Sequence, residues 1–295
     1  MNAPACSQTL RESIDKAKIL VEALPYIKEF NGITVVIKYG GSALINEEIK
    51  NTVMQDVALM KYVGFKPVIV HGGGPDINAM LNRLDIKSEF VNGLRVTTEE
   101  TMEVVEMVLA GKLNKAITTA LNMQGIQAAG ISGKDGGMLK VKKLTPNGAD
   151  IGLVGEIESV DTKLIQTLID NDFVPVISPI GVDAHGNSYN VNADYAAVAI
   201  AGALKAKKLE FITDIAGVMR DVHDASSVYS RITVKEIKDM IASGQISGGM
   251  IPKVECCIAG VQAGVKDVHI LDGRVEHCLI LETFTKEGIG TLIEE

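Results

Sequence analysis

Four short stretches of this chain combine glycines with lysine, asparagine or aspartate next to a strand-like or helical run. Residues 33–42, ITVVIKYGGS, end a β-branched run in Lys38, followed by Gly40 and Gly41. Residues 69–78, IVHGGGPDIN, set Gly72, Gly73 and Gly74 between His71 and a helix opened by Pro75 and Asp76. Glycines at such a junction let backbone N–H groups approach an anion closely, and the positive end of the helix behind them adds to the attraction. One such triplet is equally well explained as a tight turn; two at the same end of a sheet, one of them led by a lysine, favour an anion site. In 188–197, SYNVNADYAA, Asn190, Asn192 and Asp194 alternate ahead of an alanine-rich helix. One of them can cap that helix, and three exceed what a cap requires. In 247–255, SGGMIPKVE, Gly248 and Gly249 precede a helix with Lys253 in its first turns. A lysine there is electrostatically unfavourable unless an anion lies beside it.

The usual nucleotide fingerprints do not fit. No G-x-G-x-x-G follows a strand with a well-placed acid, which disfavours a dinucleotide fold. GISGKDGG (130–137) resembles a Walker loop, but Ala128 stands at the first glycine position and Asp135 where a magnesium-binding Ser or Thr belongs.

Composition bounds the partners. The 295 residues are 46% hydrophobic and 22% charged, with 29 basic against 37 acidic side chains and a net charge of −8. That balance, without any Lys/Arg cluster, argues against nucleic acid. The four cysteines, Cys6, Cys256, Cys257 and Cys278, form no C-x-x-C pair and have no histidines at metal spacing. The first thirty residues are charged throughout and no run of eighteen apolar residues occurs. The expectation is a reduced, cytoplasmic protein without a membrane segment or a dedicated metal site.

The elements that must position these residues read as follows. An amphipathic helix comes first, with Leu10, Ile14, Ala17, Val21 and Leu24 on one narrow stripe, Thr9 and Glu12 as a capping box, and Pro25 kinking or ending it. Its stripe packs either on its own domain or on another subunit. From Gly32 the rhythm is strand, loop, helix, strand: ITVVIK, a helix from about Asn46 to Val63 closed by Gly64, then KPVIV. A unit of this length implies parallel strands and a right-handed crossover. Asn92-Gly93 marks a two-residue hairpin, and Thr97 with Glu100 a capping box opening a helix that reaches about Met123. Short strands fill 126–160, followed by the helix DTKLIQTLIDND and buried strands in FVPVISPIG, LEFITD and VKDVHIL. The fold class is α/β with a mostly parallel central sheet.

The order and spacing of IKYGGSA, VIVHGGGPDIN, NGLRVT, GKDGG, YNVNAD, ITDIAGV, GGMIPKV and HCLILETFTKEGIGT resemble the amino-acid kinase family, and within it the members that phosphorylate N-acetyl-L-glutamate in arginine biosynthesis. The resemblance implies a sheet sandwiched between helices, an oligomerisation helix over 1–30, an amino-acid lobe over 31–200 and an ATP lobe over 201–295. It implies that Gly73 and Gly74 hold the acceptor carboxylate through backbone N–H groups and that Arg95 pairs with the α-carboxylate. Asn190 then meets either the acetylamido end or that same carboxylate. Lys38 and Lys253 flank the transferring phosphoryl group and Asp194 holds both lysines, or contacts the metal. Gly40, Gly41, Thr213, Asp214, Gly217, Val218, Gly248 and Gly249 cradle ATP, whose Mg2+ is carried mainly by the phosphates. The N-terminal helix and the C-terminal signature resemble those of arginine-inhibited hexameric members. That places Tyr26, Lys208, His277, Glu282 and Gly288 at an arginine site and implies a trimer of dimers.

The residue types suit phosphoryl transfer, which needs positioning and charge stabilisation more than covalent help. A carboxylate acceptor has a reference pKa of about 4.3 and needs no general base; His71 is then better read as a loop anchor. Competing readings are a sister kinase acting on carbamate, aspartate, UMP or an aminoadipate derivative, and a non-catalytic sensor of arginine or ATP.

Overall fold

The structure, a computed structural model, describes residues 8–40, 47–221, 224, 227–286 and 288–295. Helix α1 (Gln8–Phe30) precedes β1 (Thr34–Tyr39), α2 (Glu47–Tyr62), β2 (Lys66–His71) and α3 (Gly74–Arg83). A hairpin of β3 (Phe90–Val91) and β4 (Leu94–Arg95) leads to α4 (Glu99–Glu106), a π-helical segment (Met107–Leu113) and α5 (Asn114–Met123). Next come β5 (Ala128–Ser132), β6 (Leu139–Lys143), β7 (Gly155–Val160), α6 (Lys163–Asp170), β8 (Val174–Ser178), β9 (Ile180–Val182) and β10 (Ser188–Asn190). The remainder is α7 (Ala193–Ala203), β11 (Lys208–Thr213), β12 (Arg231–Thr233), α8 (Val234–Ala242), α9 (Met250–Gln262), β13 (Asp267–Asp272), α10 (Cys278–Phe284) and β14 (Thr291–Glu294).

The eight-stranded central sheet has the order β12-β14-β13-β11-β1-β2-β8-β5 and is parallel except for the β13/β14 pair. β1 therefore sits between β2 and β11, and the sheet runs unbroken from one end of the molecule to the other. A smaller sheet, β10-β9-β6-β7, stacks beside it. The chain passes between the two sheets at Pro179, which has no N–H to donate to a ladder and so separates β8 from β9.

Strand alternation sorts the core into two faces. Val36, Val68, Val70, Ile177, Leu209 and Phe211 meet α7 and α9 on one side. Val35, Ile37, Tyr39, Ile69, Val176 and Ile212 meet α2 and α5 on the other. Each such buried side chain stabilises the fold by about 1.5–3 kcal/mol, and the β-branched runs read from the sequence are what a sheet covered on both faces requires. Alanines 196, 197 and 201 of α7 are fully buried, so that helix lies close against β1.

Some local expectations shift. Pro25 does not end α1, which continues to Phe30. The stripe is solvent-exposed: Leu10, Ile14, Val21 and Leu24 are 50%, 42%, 68% and 57% exposed, and the end near Tyr26, Ile27 and Phe30 is half-buried. The side chain of Thr9, Asn46, Gly41 and Cys6 lie outside what the structure describes. The cap of α4 is Thr98, not Thr97: its hydroxyl accepts from Thr101 N–H at 3.1 Å. The Asn92-Gly93 hairpin has φ of 50° and 78° at its two central residues, the left-handed pair a type I′ turn demands.

Candidate active site

Lys38 shares a face of β1 with Val36 because strand side chains alternate, and that face is the one α7 and α9 cover. Its Nζ lies 2.9 Å from Asp194 Oδ1. Asp194 stands in the first turn of α7, whose N-cap Asn192 accepts from the N–H groups of Asp194 and Tyr195 at 2.8 and 3.3 Å. Of the three alternating polar residues, then, Asn192 is the cap, leaving Asn190 and Asp194 for other work. Gly40 leaves room for the lysine: a Cβ there would stand 2.7 Å from Lys38 Nζ.

A cavity of about 200 Å³ opens on one side of this ion pair, lined by Gly72, Gly73 and Gly74, Arg95, Asn190 and the apolar Ile77, Phe90, Leu94, Leu109 and Val154. Gly74 is the first residue of α3, so its N–H has no acceptor within the helix, and the space beside it is open. Gly73 lacks a side chain for a different reason. A Cβ there would collide with Leu109 and Leu113, both at 2.5 Å. His71 is fully buried; its Nδ1 donates to Gly72 O at 2.9 Å and its Nε2 accepts from Asn114 at 3.3 Å. Burial holds its pKa down at about 4, so the ring is neutral and fixes the loop rather than moving protons. Arg95 is 7% exposed, stacks at 4.7 Å on the Phe90 ring and donates to Gly74 O at 3.3 Å and to Ser88 Oγ. Asn190, at the end of β10, donates to Thr97 Oγ1 at 3.2 Å.

A second cavity, about 250 Å³, lies on the other side of the pair and is lined by Lys38, Asp194, Phe211, Thr213, Asp214, Lys253, Cys256, Cys257 and Ile270. Lys253, expected on the same carboxylate as Lys38, pairs instead with Asp214 at 2.9 Å. The reason is position: Lys253 is in the first turns of α9, which packs on β13, and Asp214 directly follows β11, the strand beside β13. The hydrogen bond from Lys253 holds the Asp214 carboxyl below its usual range. Cys256 shares the wall, but burial pushes its thiol up to about 12 and it acts as an apolar lining group. Further along, a cavity of about 160 Å³ is lined by Ile215, Gly217, Val218, Met219, Gln245, Ile246, Ser247 and Met250. Gly217 has φ of 141°, and a Cβ there would stand 2.5 Å from Thr291 Oγ1, which accepts from Val218 N–H at 2.9 Å. Gly248, with φ of 58°, and Gly249, the N-cap of α9, join Ser247 to Met250. Among the described residues no group of three or more His, Cys, Asp or Glu could hold a metal ion.

A fourth cavity, about 360 Å³, sits between the end of α1 and the far edge of the sheet. Tyr26, Lys208, Glu282 and Gly288 line it together with His269, Arg231 and Lys266. His277 does not. It lies beyond the opposite end of α10, where its Nδ1 is 2.6 Å from the buried Asp56 carboxylate of α2. The histidine at the cavity is His269, whose Nε2 is 3.2 Å from Glu282 Oε1; burial keeps its pKa well below the usual range, so it donates as a neutral ring. The side chain of Glu282 is 9% exposed, and its other oxygen accepts from Ile289 and Gly290 N–H at 2.8 and 3.0 Å. The C-terminal stretch suggested His277 because it opens the motif, whereas the imidazole that reaches the cavity comes from β13 in the strand pairing.

Two other contributors escaped sequence reasoning. Asp214 was read as part of a nucleotide loop and not as the partner of Lys253. Leu109 was hidden within a helix read as uniform, although its signal is present: Thr101, Val105, Leu109, Leu113, Ile117 and Leu121 are all buried, each four residues after the last. An α-helix drifts about 40° per four-residue step, so a run of that length needs the extra residue of a π turn to keep one face inward.

The comparisons with known proteins agree with this layout. A family described as "Amino acid kinase family" matches residues 34–272. An acetylglutamate kinase of Caldanaerobacter subterraneus subsp. tengcongensis is 57% identical over 282 residues, 96% of this chain and 94% of the relative. An acetylglutamate kinase of Thermoanaerobacter sp. (strain X514) is 55% identical over 286 residues, 97% of this chain and 95% of the relative. Among solved structures, N-acetylglutamate synthase from Neisseria gonorrhoeae, complexed with coenzyme A and N-acetyl-glutamate, superposes with a TM-score of 0.84 at 24% identity. That superposition covers 95% of this chain and 63% of the longer synthase chain, and it speaks to fold alone.

Proposed function

The chain belongs to the amino acid kinase family, and from that premise we infer that it transfers the γ-phosphoryl group of ATP to the side-chain carboxylate of N-acetyl-L-glutamate, a step of arginine biosynthesis. One observation carries the reading: an acceptor-sized cavity and a nucleotide-side cavity meet at a single ion pair, Lys38–Asp194. The acceptor lobe is residues 31–200 and the nucleotide lobe 201–295.

The reaction needs no base. An acceptor carboxylate oxygen attacks the γ-phosphorus, the bond to the β,γ-bridging oxygen breaks, and ADP leaves with that electron pair. Gly73 and Gly74 N–H groups orient the attacking carboxylate, while Arg95 takes the α-carboxylate with the fork geometry that lysine lacks. Asn190 fixes the acetylamido end. Lys38 and Lys253 stabilise charge on the moving phosphoryl group from either side. Asp194 aims Lys38, and Asp214 keeps Lys253 near the nucleotide until phosphate oxygens compete for it. Thr213, Asp214, Gly217, Val218, Gly248 and Gly249, together with Gly40, form the cradle for ATP; Gly41, assigned to it from the sequence, lies outside the described residues. Mg2+ arrives with the nucleotide and takes its ligands from phosphate and water.

The fourth cavity is read as an arginine site: Glu282 suits a guanidinium, Lys208 a carboxylate, and Tyr26 and Gly288 close the walls. The exposed apolar stripe of α1 is read as the surface that links copies of the chain into a hexamer, a trimer of dimers. No described helix is long and apolar enough to cross a membrane.

The test is ATP-dependent acyl phosphate formation, trapped as a hydroxamate, with N-acetyl-L-glutamate, glutamate, aspartate and UMP compared with and without arginine. Turnover confined to N-acetyl-L-glutamate supports the active site. Suppression by arginine, lost on deleting residues 1–25 together with a fall in oligomer mass, supports the regulatory reading. Turnover of another acceptor instead overturns the substrate assignment.

A further inference from the structure

The helix that runs from Glu99 to Met123 is interrupted by the π-helical segment Met107–Leu113. A π turn is less favourable than the α turn it replaces, and such turns gather at functional sites. Here its effect can be read from burial. Ahead of it α4 buries Thr101, Met102, Val104 and Val105; beyond it α5 buries Asn114, Ile117 and Leu121. The extra residue rotates the second half by about 100° against the first, which keeps both faces inward and turns Leu109 and Leu113 onto the glycine loop. The contact is tight, because a single carbon added to Gly73 would lie 2.5 Å from both leucines. An ion pair between Lys112 of the same segment and Asp76 in the first turn of α3, 2.7 Å, pins the π turn to the helix that starts at Gly74.

Of these residues Leu109 also lines the acceptor cavity. The other apolar walls differ in place. Phe90 and Leu94 stand on the short hairpin and are exposed or half-buried, Ile77 belongs to α3 itself, and Val154 and Val191 are buried beside Asn190 rather than against the glycine loop. Leu109 is 2% exposed, comes from a separate element, and is wedged between that element and the loop.

We propose that Leu109 is a specificity-determining residue that sets the length of the carboxylate-bearing side chain the cavity admits between Arg95 and Lys38. This rests on the acceptor reading given above. The π turn makes Leu109 a fixed stop beside the glycine N–H groups, so a side chain one methylene longer than glutamate's must fold into space the leucine fills. A chain one methylene shorter cannot reach the loop while Arg95 holds its other end.

The experiment compares kcat/KM for N-acetyl-L-aspartate, N-acetyl-L-glutamate and N-acetyl-L-2-aminoadipate in the wild type, Leu109→Val and Leu109→Ala, with the KM for ATP measured alongside. A methylene in an apolar pocket discriminates by roughly 10- to 200-fold. Leu109→Ala is therefore expected to move the aminoadipate-to-glutamate ratio up by about ten-fold or more, Leu109→Val in the same direction by less, with the KM for ATP unchanged. An unchanged ratio in Leu109→Val, which keeps a branched apolar side chain and so tests the idea even if Leu109→Ala fails to fold, overturns the assignment while leaving the kinase reading intact. Absence of N-acetyl-L-glutamate turnover in the wild type overturns both.

Discussion

Lys38 and Asp194 form an ion pair of 2.9 Å in the wall that two cavities share, so one carboxylate positions the cation that, among the described residues, faces both. Lys253 faces the nucleotide-side cavity alone and is held by a different carboxylate, Asp214. The two lysines are thus independently mounted, one from the α7 side and one from the end of β11.

That arrangement separates their mutational effects. Lys38→Ala should lower kcat by roughly 10²–10³-fold, the scale of losing one preorganised charge donor in a water-poor site. Asp194→Asn should follow in the same direction, since the amide no longer fixes the ammonium. Steady-state kinetics with both substrates varied would check this, and a change confined to KM would contradict it.

Lys253→Ala should also lower kcat, with acceptor KM largely kept because no acceptor-cavity residue is touched. Asp214→Asn and Lys253→Ala should be non-additive, as expected for two groups in direct contact. A double-mutant cycle on kcat is the measurement; strict additivity would mean that the Asp214–Lys253 pair has no part in turnover.

Arg95→Lys should raise the acceptor KM by about 10- to 100-fold, the equivalent of losing roughly 1.5–3 kcal/mol of charge-assisted hydrogen bonding. Lysine keeps the charge but loses the second donor and the stacking on Phe90. The KM for ATP should stay put, and a parallel rise in both constants would point to general disruption instead.

His71 gives the chain a dependence on acidity. Its folded pKa, about 4, lies below the 6.5 of an ordinary imidazole because burial disfavours the charged ring. A depressed folded pKa means that the unfolded chain binds the proton first. The stability is fully present above about pH 6.5 and is lost as pH falls through about 4. The full contribution is on the order of 3 kcal/mol, and His269 adds to the same trend, its pKa also being lowered. Denaturant unfolding between pH 7 and 4 should show the decline, and His71→Gln should flatten it; a profile as steep as the wild type's would locate the effect elsewhere.

Much of this was legible before any coordinates. The β-branched runs around Val35, Val68, Val176 and Leu209 announced strands covered on both faces, and the Asn92-Gly93 turn has the conformation its residues dictate. The glycine loops at strand ends announced an anion site, and the resemblance to the amino-acid kinase family implied the grouping of Lys38, Gly73, Gly74, Arg95, Asn190 and Asp194 that lines one cavity.

What stayed hidden depended on neighbours far away in the chain. Local sequence determines propensity, caps and periodicity, because those are set by a residue and the few beside it. It could not decide that Lys253 pairs with Asp214, 39 residues distant, nor that His269 rather than His277 reaches Glu282. That the stripe of α1 stays exposed on the single chain was equally beyond it, since an amphipathic stripe says that a surface will be covered and not by what. Strand order and helix packing settle such pairings, and the π turn at Leu109 shows why: six buried residues spaced by four are written in the sequence, but only packing against Gly73 decides that the helix absorbs the extra residue there.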